Sequence, residues 1–388
     1  MIYFDHGATS YPKPKGVIEE MERCMRYYCG NPGRSGHTMS MMMGEKIYET
    51  RKIVSKLLGI GNPSRIIFTR NTTESLNLAL MGILQEGDHV VATAMEHNSV
   101  LRPLNAMLDF SIAHTIVPAD SLGVVSAQNI IDAVKPETRM IVMTGASNVT
   151  GTLLPVEEIC RWAKKKGILT LIDGAQTAGS ISLKVEDIGM TMLAFPGHKG
   201  LLGPQGTGAL YVSKDLCDVS AGEFLRPLLF GGTGTASKSV CQKRNFPEDY
   251  EAGTVNGPGI VGLGRAVEFV DCIGTQTITF HERELCRELE SYLRNMDFVT
   301  VYGPPPEKKV GITLFNIQGI SSEEVTEYLS REYGIAVRGG YHCAPLAHRA
   351  IGTFDGGAVR LSVGPFNTRK EIRTVAEAVY RIGKMCKM

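Results

Sequence analysis

Asp173 and Lys199 carry the first chemical signal in the sequence. Asp173 follows the apolar run 168–172, which is typical of a short buried strand, and Lys199 lies in the glycine-lined turn Gly197-His198-Lys199-Gly200. A lysine amine can form a Schiff base with the aldehyde of pyridoxal phosphate, and an acid at a strand end can keep the pyridine nitrogen protonated. Taken alone, the two residues favour an ordinary strand-ending aspartate and a solvated lysine. Whether they form a cofactor site therefore depends on the rest of the sequence.

Polar residues follow the ends of four predicted strands, at 65–69, 89–92, 140–144 and 168–172. Helical segments lie between these strands, and this alternation predicts a parallel α/β sheet. Because open α/β sheets bind ligands beyond the carboxyl ends of their strands, these polar residues should converge on one site. In chain order they are Thr72 and Thr73, His97, Asn148, and Gln176.

Each of these five residues also has an ordinary structural explanation. Thr72 and Thr73 open a helix, where backbone N–H groups can bind a phosphate, but the same sequence suits a plain helix N-cap. His97 could stack on a cofactor ring or be a loop histidine. Asn148 and Gln176 could hydrogen-bond a phenolic oxygen, although such side chains are common in turns. The convergence of the strand ends, and not any single residue, favours a ligand site.

A second chemical signal lies near the C-terminus, in Arg338-Gly339-Gly340-Tyr341-His342-Cys343. Arg338 and His342 flank the thiol, and positive neighbours raise the thiolate fraction of a cysteine. This pattern favours a nucleophilic role for Cys343 over that of a buried, inert cysteine. Arg360 stands inside an apolar strand-like run, where either a bidentate contact with a substrate carboxylate or a structural ion pair would explain it.

The composition is that of an ordinary globular protein, with 43% hydrophobic and 21% charged residues among 388 and a formal net charge of +1. This charge balance predicts no surface for nucleic acid or an anionic membrane, and no apolar run approaches the roughly 18 residues that span a bilayer. The N-terminus lacks signal-peptide features, and nine cysteines are scattered without a metal-type cluster. We therefore expect a cytoplasmic protein with no metal ion, nucleic-acid partner or membrane attachment.

The length predicts more than one domain. Strand–helix alternation is interrupted by a loop-rich stretch and resumes toward the C-terminus. We predict a large cofactor-binding domain over 15–258 and a smaller domain over 259–388, with the N-terminal segment 1–14 packed on the smaller one. A methionine-rich helix before residue 58 is predicted to fill the core with its methionines, Met39, Met41, Met42 and Met43.

Eight short stretches, in order along essentially the whole chain, resemble the class V aminotransferase family of pyridoxal-phosphate enzymes. The likeness is specifically to its cysteine desulfurases and selenocysteine lyases, and RGGYHC is similar to the second group of desulfurases, which has a short catalytic-cysteine loop. The resemblance implies fold type I, with a mainly parallel seven-stranded sheet in the large domain and a smaller α+β C-terminal domain. The stretches are YFDHGATS, RNTTESLN, EHNS, SNVTGT, IDGAQTAG, PGHKGLLGPQGTG, YEAGTVN and RGGYHC.

The resemblance also assigns the cofactor contacts. It implies that Lys199 binds pyridoxal phosphate covalently and moves protons, while Asp173 pairs with the pyridine nitrogen. His97 would stack on the ring, and Gln176 would bond the phenolic oxygen. Asn148 would lie near the ring. The phosphate would be held by Thr72, Thr73 and His198, joined by Thr254 from a partner subunit, which implies a homodimer with shared active sites.

For the substrate, the resemblance implies that Arg360 binds the carboxylate, with His37, Asn148 and Arg338 nearby. Cys343 would take the sulfur of L-cysteine as a persulfide, release L-alanine and pass the sulfur to an acceptor protein. A selenocysteine lyase would use the same residues with selenium as the atom removed. Another aminotransferase or lyase of this fold, or a sulfur carrier that has lost catalysis, is a further alternative.

The chain departs from the family pattern at three positions. His6 and Gly7 stand where the family usually has Asn and Ala, close to the substrate. Pro196 replaces a serine whose hydroxyl normally contacts the phosphate, so one hydrogen bond should be missing. These departures leave the lysine, the aspartate and the cysteine in place, but they predict an altered cofactor affinity or substrate preference.

Overall fold

A computed structural model of the chain describes residues 1–33, 35–217, 224–234 and 237–386. In this part of the chain the strands are β1 (Ile2–Tyr3), β2 (Ile66–Thr69), β3 (His89–Thr93), β4 (Ala113–Val117), β5 (Thr138–Thr144), β6 (Leu169–Asp173), β7 (Met192–Pro196), β8 (Gly208–Val212), β9 (Val299–Tyr302), β10 (Ile312–Ile317), β11 (Ile335–Ala336) and β12 (Val359–Ser362).

The helices of the same described residues alternate with these strands in the first part of the chain and dominate after residue 256. They are α1 (Lys15–Tyr27), α2 (Thr38–Leu58), α3 (Thr72–Ile83), α4 (Asn98–Met107), α5 (Ala127–Asp132), α6 (Val156–Lys166), α7 (Val185–Ile188), α8 (Lys214–Cys217), α9 (Gly257–Ile273), α10 (Thr275–Arg294), α11 (Ser322–Tyr333), α12 (Pro345–Ala350) and α13 (Arg369–Cys386).

The central sheet has seven strands in the order β2-β8-β7-β6-β5-β3-β4. All pairings are parallel except the two made by β8. The prediction of a mainly parallel seven-stranded sheet is therefore confirmed. The four strands predicted above correspond to β2, β3, β5 and β6, whereas the half-exposed β4 and the fully buried β7 were not predicted.

Both faces of the sheet are buried, and successive residues of each central strand serve opposite faces. In β5, Ile141 and Met143 belong to one hydrophobic core, while Met140 and Val142 belong to the other. This alternation follows from the twofold period of side chains along a strand. It explains why the strand reads as a continuous apolar run, and why the polar residues begin only where the strand ends.

Two smaller sheets complete the structure. β10 lies between β9 and β12, both antiparallel to it, while β1 pairs with β11 in parallel. The amide of Asn367 also binds the carbonyl of Tyr3, whereas the amide of Ser10 reaches the carbonyl of His198 beside the central sheet. The N-terminal segment thus contacts both the C-terminal part of the chain and the turn after β7. The predicted domain boundary after residue 258, near the start of α9, stays a prediction.

The methionine-rich helix α2 corrects one prediction. Only Met43 is buried in the core, whereas 44%, 57% and 41% of Met39, Met41 and Met42 are exposed. The described residues therefore do not bury these three side chains, which lie in the first turns of the helix. No helix in the described residues is long and apolar enough to cross a membrane.

Candidate active site

A cavity of about 230 Å³ opens at the carboxyl ends of the parallel strands. Its wall combines strand ends of the central sheet with residues 338–360 from the C-terminal part of the chain. The predicted site residues that line it are Thr72, Thr73, His97, Asn148, Asp173, Gln176, His198, Lys199, Arg338 and Arg360.

Lys199 is held in a tight turn after β7. A Cβ at Gly197 would lie 2.1 Å from Oγ1 of Thr207, and one at Gly200 would lie 2.6 Å from the carbonyl oxygen of Ala178. Only glycine permits these approaches, so the flanking glycines fix where the lysine enters the cavity. Burial lowers the pKa of Lys199 to about 8, although the charge of Asp173 opposes the shift. The amine is therefore partly unprotonated near neutral pH, as a nucleophile requires.

Asp173 lines the same cavity at the end of β6, the strand next to β7, and only 2% of it is exposed. One carboxylate oxygen accepts a hydrogen bond of 2.9 Å from the amide of Ala175. Within the described residues the other oxygen accepts none, so it is free to pair with a cationic N–H in the cavity. Burial raises the pKa of Asp173. A pyridinium partner would restore the charged form, because an opposite charge offsets desolvation.

His97 caps the N-terminus of α4 and faces the cavity. Its Nδ1 accepts hydrogen bonds from the amide and the hydroxyl of Ser99, at 3.0 and 2.7 Å. Burial lowers the pKa of His97 to about 4, so the ring is neutral and its proton lies on Nε2. Ser99, which sequence reasoning missed, therefore sets the orientation of a flat, uncharged ring that can stack on an aromatic ligand.

The N-terminus of α3 supplies the anion-binding end of the cavity. Asn71 caps the helix by accepting from the amide of Glu74, which leaves the amides of Thr72 and Thr73 without an intrahelical partner. Nδ1 of His198 is buried and makes no hydrogen bond in the described structure, and burial lowers the pKa of His198 to about 4. Neutral donors at a helix N-terminus suit a phosphate. The donor set fits pyridoxal phosphate, with Pro196 adding none.

Cys343 lies on an exposed loop that is tied to two cavity loops by its backbone. The carbonyl of Cys343 accepts from the amide of Asn98 at 2.8 Å, and the carbonyl of His342 accepts from the amide group of Asn148 at 2.7 Å. His342 and Cys343 both have left-handed backbone, with φ of 53° and 58°. Such a conformation is rare for residues with side chains. It is held here by these anchors, and it leaves the thiol open to solvent.

The two predicted positive neighbours of the thiol behave differently. Nη2 of Arg338 lies 3.9 Å from Sγ of Cys343. His342, in contrast, is buried and stacks on His348, with ring centroids 5.4 Å apart and Nδ1 3.2 Å from Nε2 of His348. Burial and Arg360 lower the pKa of His342 to about 2. The expectation that His342 supplies positive charge is therefore wrong, since its ring is a neutral support of the loop.

Arg360 is almost fully buried in β12 and already has partners. Nη2 binds the carboxylate of Asp5 at 2.8 Å, and Nη1 binds the carbonyl of Asn148 at 2.9 Å. Nε is buried without a partner among the described residues. The sequence left a substrate contact and an ion pair as alternatives for Arg360, and the structure shows the ion pair while leaving donor capacity in the cavity. Asp5, which sequence reasoning missed, holds the guanidinium in place.

Gly7, one of the residues that depart from the family pattern, lies beside Arg360. The amide of Gly7 binds Oγ of Ser362, and its carbonyl accepts from Nε2 of Gln176 at 3.0 Å. A Cβ at Gly7 would lie 3.1 Å from Cζ of Arg360. The absence of a side chain at Gly7 thus leaves space for the guanidinium of Arg360. One N–H of the Gln176 amide binds the backbone, so that N–H is not available to a ligand.

Two predicted site residues lie away from the cavity in this chain. Thr254 is exposed, and its hydroxyl accepts from Nδ2 of Asn31 at 3.3 Å. His37 is also exposed and caps α2 through a hydrogen bond from the amide of Ser40. Neither residue lines the cavity of its own chain.

Glu96 is a further carboxyl that the sequence did not single out. It is fully buried beside His97, and Oε1 accepts from the hydroxyl of Thr93 and from the amide of Thr144. Burial raises the pKa of Glu96 to about 8, and the charge of Asp173 adds to the shift. Glu96 is therefore protonated at neutral pH and links the ends of β3 and β5 as a neutral group.

Known proteins resemble this chain over nearly its full length. A family model described as aminotransferase class-V matches residues 2–375. A probable cysteine desulfurase of Methanothermobacter thermautotrophicus is 36% identical, with 99% of this chain and 95% of that protein covered. The apo structure of a cysteine desulfurase from Thermococcus onnurineus has a TM-score of 0.92 at 31% identity, covering 99% of this chain and 95% of that one. An S-sulfonic acid form of the Escherichia coli cysteine desulfurase CsdA has a TM-score of 0.88 at 26% identity, covering 99% and 94%.

Proposed function

The chain belongs to the class V aminotransferase family, and we propose that it is a pyridoxal-phosphate-dependent cysteine desulfurase. The observation that carries the proposal is the physical link between the cavity that would bind the cofactor and the loop that carries the thiol of Cys343. The cavity of Lys199 and Asp173 is joined to the loop of Cys343 through hydrogen bonds from the backbone amide of Asn98 and the side-chain amide of Asn148. An amino acid bound in the cavity can therefore present its side chain to the thiol.

The cofactor would be held by groups that have free bonding capacity. Thr72, Thr73 and His198 would bind the phosphate, and Asp173 would pair with the pyridine nitrogen while His97 covers the ring. When bound, pyridoxal phosphate supplies an electron sink for charge that develops at the substrate Cα. Lys199, with its lowered pKa, can both anchor the cofactor and accept the Cα proton.

The substrate is positioned by Arg360, whose buried guanidinium offers its unpartnered Nε–H and remaining Nη protons to a carboxylate. The Cys343 thiolate forms an S–S bond with the substrate sulfur as the C–S bond breaks. The thiol proton ends on carbon, so cysteine and enzyme thiol become alanine and enzyme persulfide. Because Cys343 is exposed, an acceptor thiol can then collect the sulfur.

A homodimer would complete the site. Thr254 and His37 are exposed and lie outside the cavity of their own chain, near exposed apolar side chains of α2. A second copy packed on this face would bury Met39, Met41 and Met42 and bring Thr254 to the phosphate of the neighbouring cavity. The charge balance and the scattered cysteines support a cytoplasmic location and a protein thiol as acceptor.

The deciding experiment supplies purified, cofactor-loaded protein with L-cysteine and, in parallel, with selenocysteine. We expect alanine in amounts equal to the sulfur bound as persulfide plus the sulfur released, and mass spectrometry should find the added sulfur on Cys343. No observation favours selenocysteine as the preferred substrate. Absence of alanine from both substrates, in protein that has taken up the cofactor, would refute the proposal.

A further inference from the structure

A second, smaller chamber lies beside Lys199. Its volume is about 30 Å³, enough for one water molecule. It shares Gly7, Gln176 and Lys199 with the larger cavity. Its other polar side chains come from separate parts of the chain: His6 and Ser10 from the N-terminal segment, Ser180 from the loop after β6, Glu282 from α10 and Ser362 from β12. We call this space the rear chamber.

His6 lies in the wall of the rear chamber with unused hydrogen-bonding capacity. Only 8% of it is exposed, and neither ring nitrogen makes a hydrogen bond of good geometry within the described residues, although the side-chain amide of Asn367 and the backbone of Tyr3 are close. The ring packs on Gly364, where a Cβ would lie 2.4 Å from Nδ1. It also meets the edge of Tyr3 at 5.1 Å. Burial and the charge of Lys13 lower the pKa of His6 to about 4, so the neutral ring carries one donor and one acceptor.

Glu282 faces the same chamber from α10. Only 6% of it is exposed, and its carboxyl makes no hydrogen bond within the described part of the chain. Gly311 leaves space for it, because a Cβ there would lie 3.0 Å from Oε2. Arg283, the charged neighbour on the helix, directs Nε to the carbonyl of Lys309 instead. Burial raises the pKa of Glu282 to about 8 against the charge of Arg283, and Cys286 is the other titratable group near it.

His6 and Glu282 are buried polar side chains with unused hydrogen-bonding capacity, and both face one water-sized space that suits an occupant. Leaving such groups unsatisfied is costly, and a buried water normally makes about three hydrogen bonds to groups of this kind. His6 can donate or accept, Glu282 can donate, and Ser10 and Ser362 lie in the same wall. The built site therefore fits water better than an apolar group or an ion.

We propose that His6 and Glu282 hold a water molecule in the rear chamber, and that this water relays protons between Glu282 and the amine of Lys199. The proposal rests on the proposed function, in which Lys199 takes up and returns protons. In the relay, the Glu282 carboxyl gives a proton to the water as the water gives one to Lys199. The same steps run in reverse when Lys199 becomes charged, so no proton is created or lost. His6 and Glu282 act through water and are positioning residues.

The first test needs neither substrate nor turnover. A crystal structure of the protein should contain a water within hydrogen-bond distance of His6 and Glu282. At pH 7 the infrared band of protonated buried carboxyls should lose intensity in Glu282→Gln, where Glu96 supplies the remainder. It should keep its full intensity in Glu284→Gln, the matched control on a surface ion pair of the same helix. An empty chamber, or a Glu282 that is ionised at pH 7, would overturn the proposal.

The second test follows the proton itself. In D2O, the wild-type enzyme should place solvent deuterium at Cα of the alanine it forms. Glu282→Gln and His6→Phe should lower that deuterium content about tenfold, because the proton taken by Lys199 then returns before it exchanges. His6→Asn, which keeps a donor and an acceptor, should restore it, and Glu284→Gln should leave it unchanged.

The outcomes of the two tests separate the relay from the proposed function. Unchanged deuterium content in both Glu282→Gln and His6→Phe, with cofactor still bound, would overturn the relay while leaving the desulfurase intact. Failure of all variants and of the wild type to form alanine would instead refute the proposed function. If His6→Phe does not fold, Glu282→Gln, which preserves shape, decides alone.

Discussion

The two halves of the site are built in opposite ways. Lys199 and Asp173 stand on adjacent strand ends of a sheet that is buried on both faces. Cys343 stands on an exposed loop with left-handed backbone, fixed by hydrogen bonds to residues far away in sequence. The first half needs a dry, rigid wall to shift pKa values, and the second needs access for an acceptor. Chemistry that requires burial is thus separated from chemistry that requires exposure, and two asparagines join them.

The largest expected effect comes from breaking the buried half. Lys199→Ala removes both the anchor of the cofactor and the acceptor of the Cα proton, and alanine formation should fall by at least about 10⁴-fold. Lys165→Ala, on the exposed face of α6, is the matched control and should retain full activity. Substantial residual turnover in Lys199→Ala would show that another group does the proton transfer.

Breaking the exposed half should leave the other half intact. Cys343→Ala should lower sulfur transfer by about 10³-fold, because the nucleophile is lost, while cofactor absorbance stays that of the wild type. Cys272→Ala, another exposed cysteine, serves as the control. Unchanged turnover in Cys343→Ala would favour a lyase that releases sulfur without a persulfide.

The pKa of Lys199 sharpens the comparison without any substrate. Its pKa is lowered to about 8, so the fraction of unprotonated amine should rise about tenfold per pH unit up to pH 8 and then level off. Labelling of the cofactor-free protein with acetic anhydride, read residue by residue by mass spectrometry, should follow this curve. In Asp173→Asn the plateau should move to lower pH, because Asp173 raises the pKa. A plateau above pH 10 for Lys199 would contradict the burial argument.

The ion pair between Asp5 and Arg360 tests the positioning of substrate. Asp5→Asn keeps the shape but removes the charge that holds the guanidinium, and KM should rise about 10- to 50-fold with a smaller change in kcat. The measurement is the KM for L-cysteine beside that for a substrate-sized amine without a carboxylate. A fall in kcat alone would point to damage elsewhere in the cavity.

The smallest expected effect comes from weakening the hydrogen bonds that link the buried cavity to the loop of Cys343. Asn148→Ala removes one hydrogen bond to the Cys343 loop, worth about 1 kcal/mol, and sulfur transfer should fall about fivefold. Alkylation of Cys343 should become faster as the loop loosens. The control is Asn105→Ala, which removes a side-chain amide that binds a backbone carbonyl within α4. It should change neither sulfur transfer nor the alkylation rate.

Much of the fold follows from local pattern. The apolar runs of β5 and β6 predict buried strands, and the polar residues just past them predict a site at one edge of the sheet. Capping of α11 by Ser321 and Glu324 follows from local sequence in the same way. The exposure of Met39, Met41 and Met42 did not follow from local sequence, because hydrophobicity alone cannot say whether another surface covers a helix face.

By itself, the sequence predicted a mainly parallel sheet, Lys199 and Asp173 at its edge, and Cys343 as the candidate nucleophile. Such features follow from the types of residues that lie within a few positions of one another, because backbone sterics and side-chain periodicity act over that range. Only the tertiary structure decided that Asp5 holds Arg360, that His342 is neutral, and that His6 and Glu282 share one chamber. Such pairings depend on which distant segments meet and on how dry the contact is, and burial sets the charge of a side chain as strongly as its chemistry does.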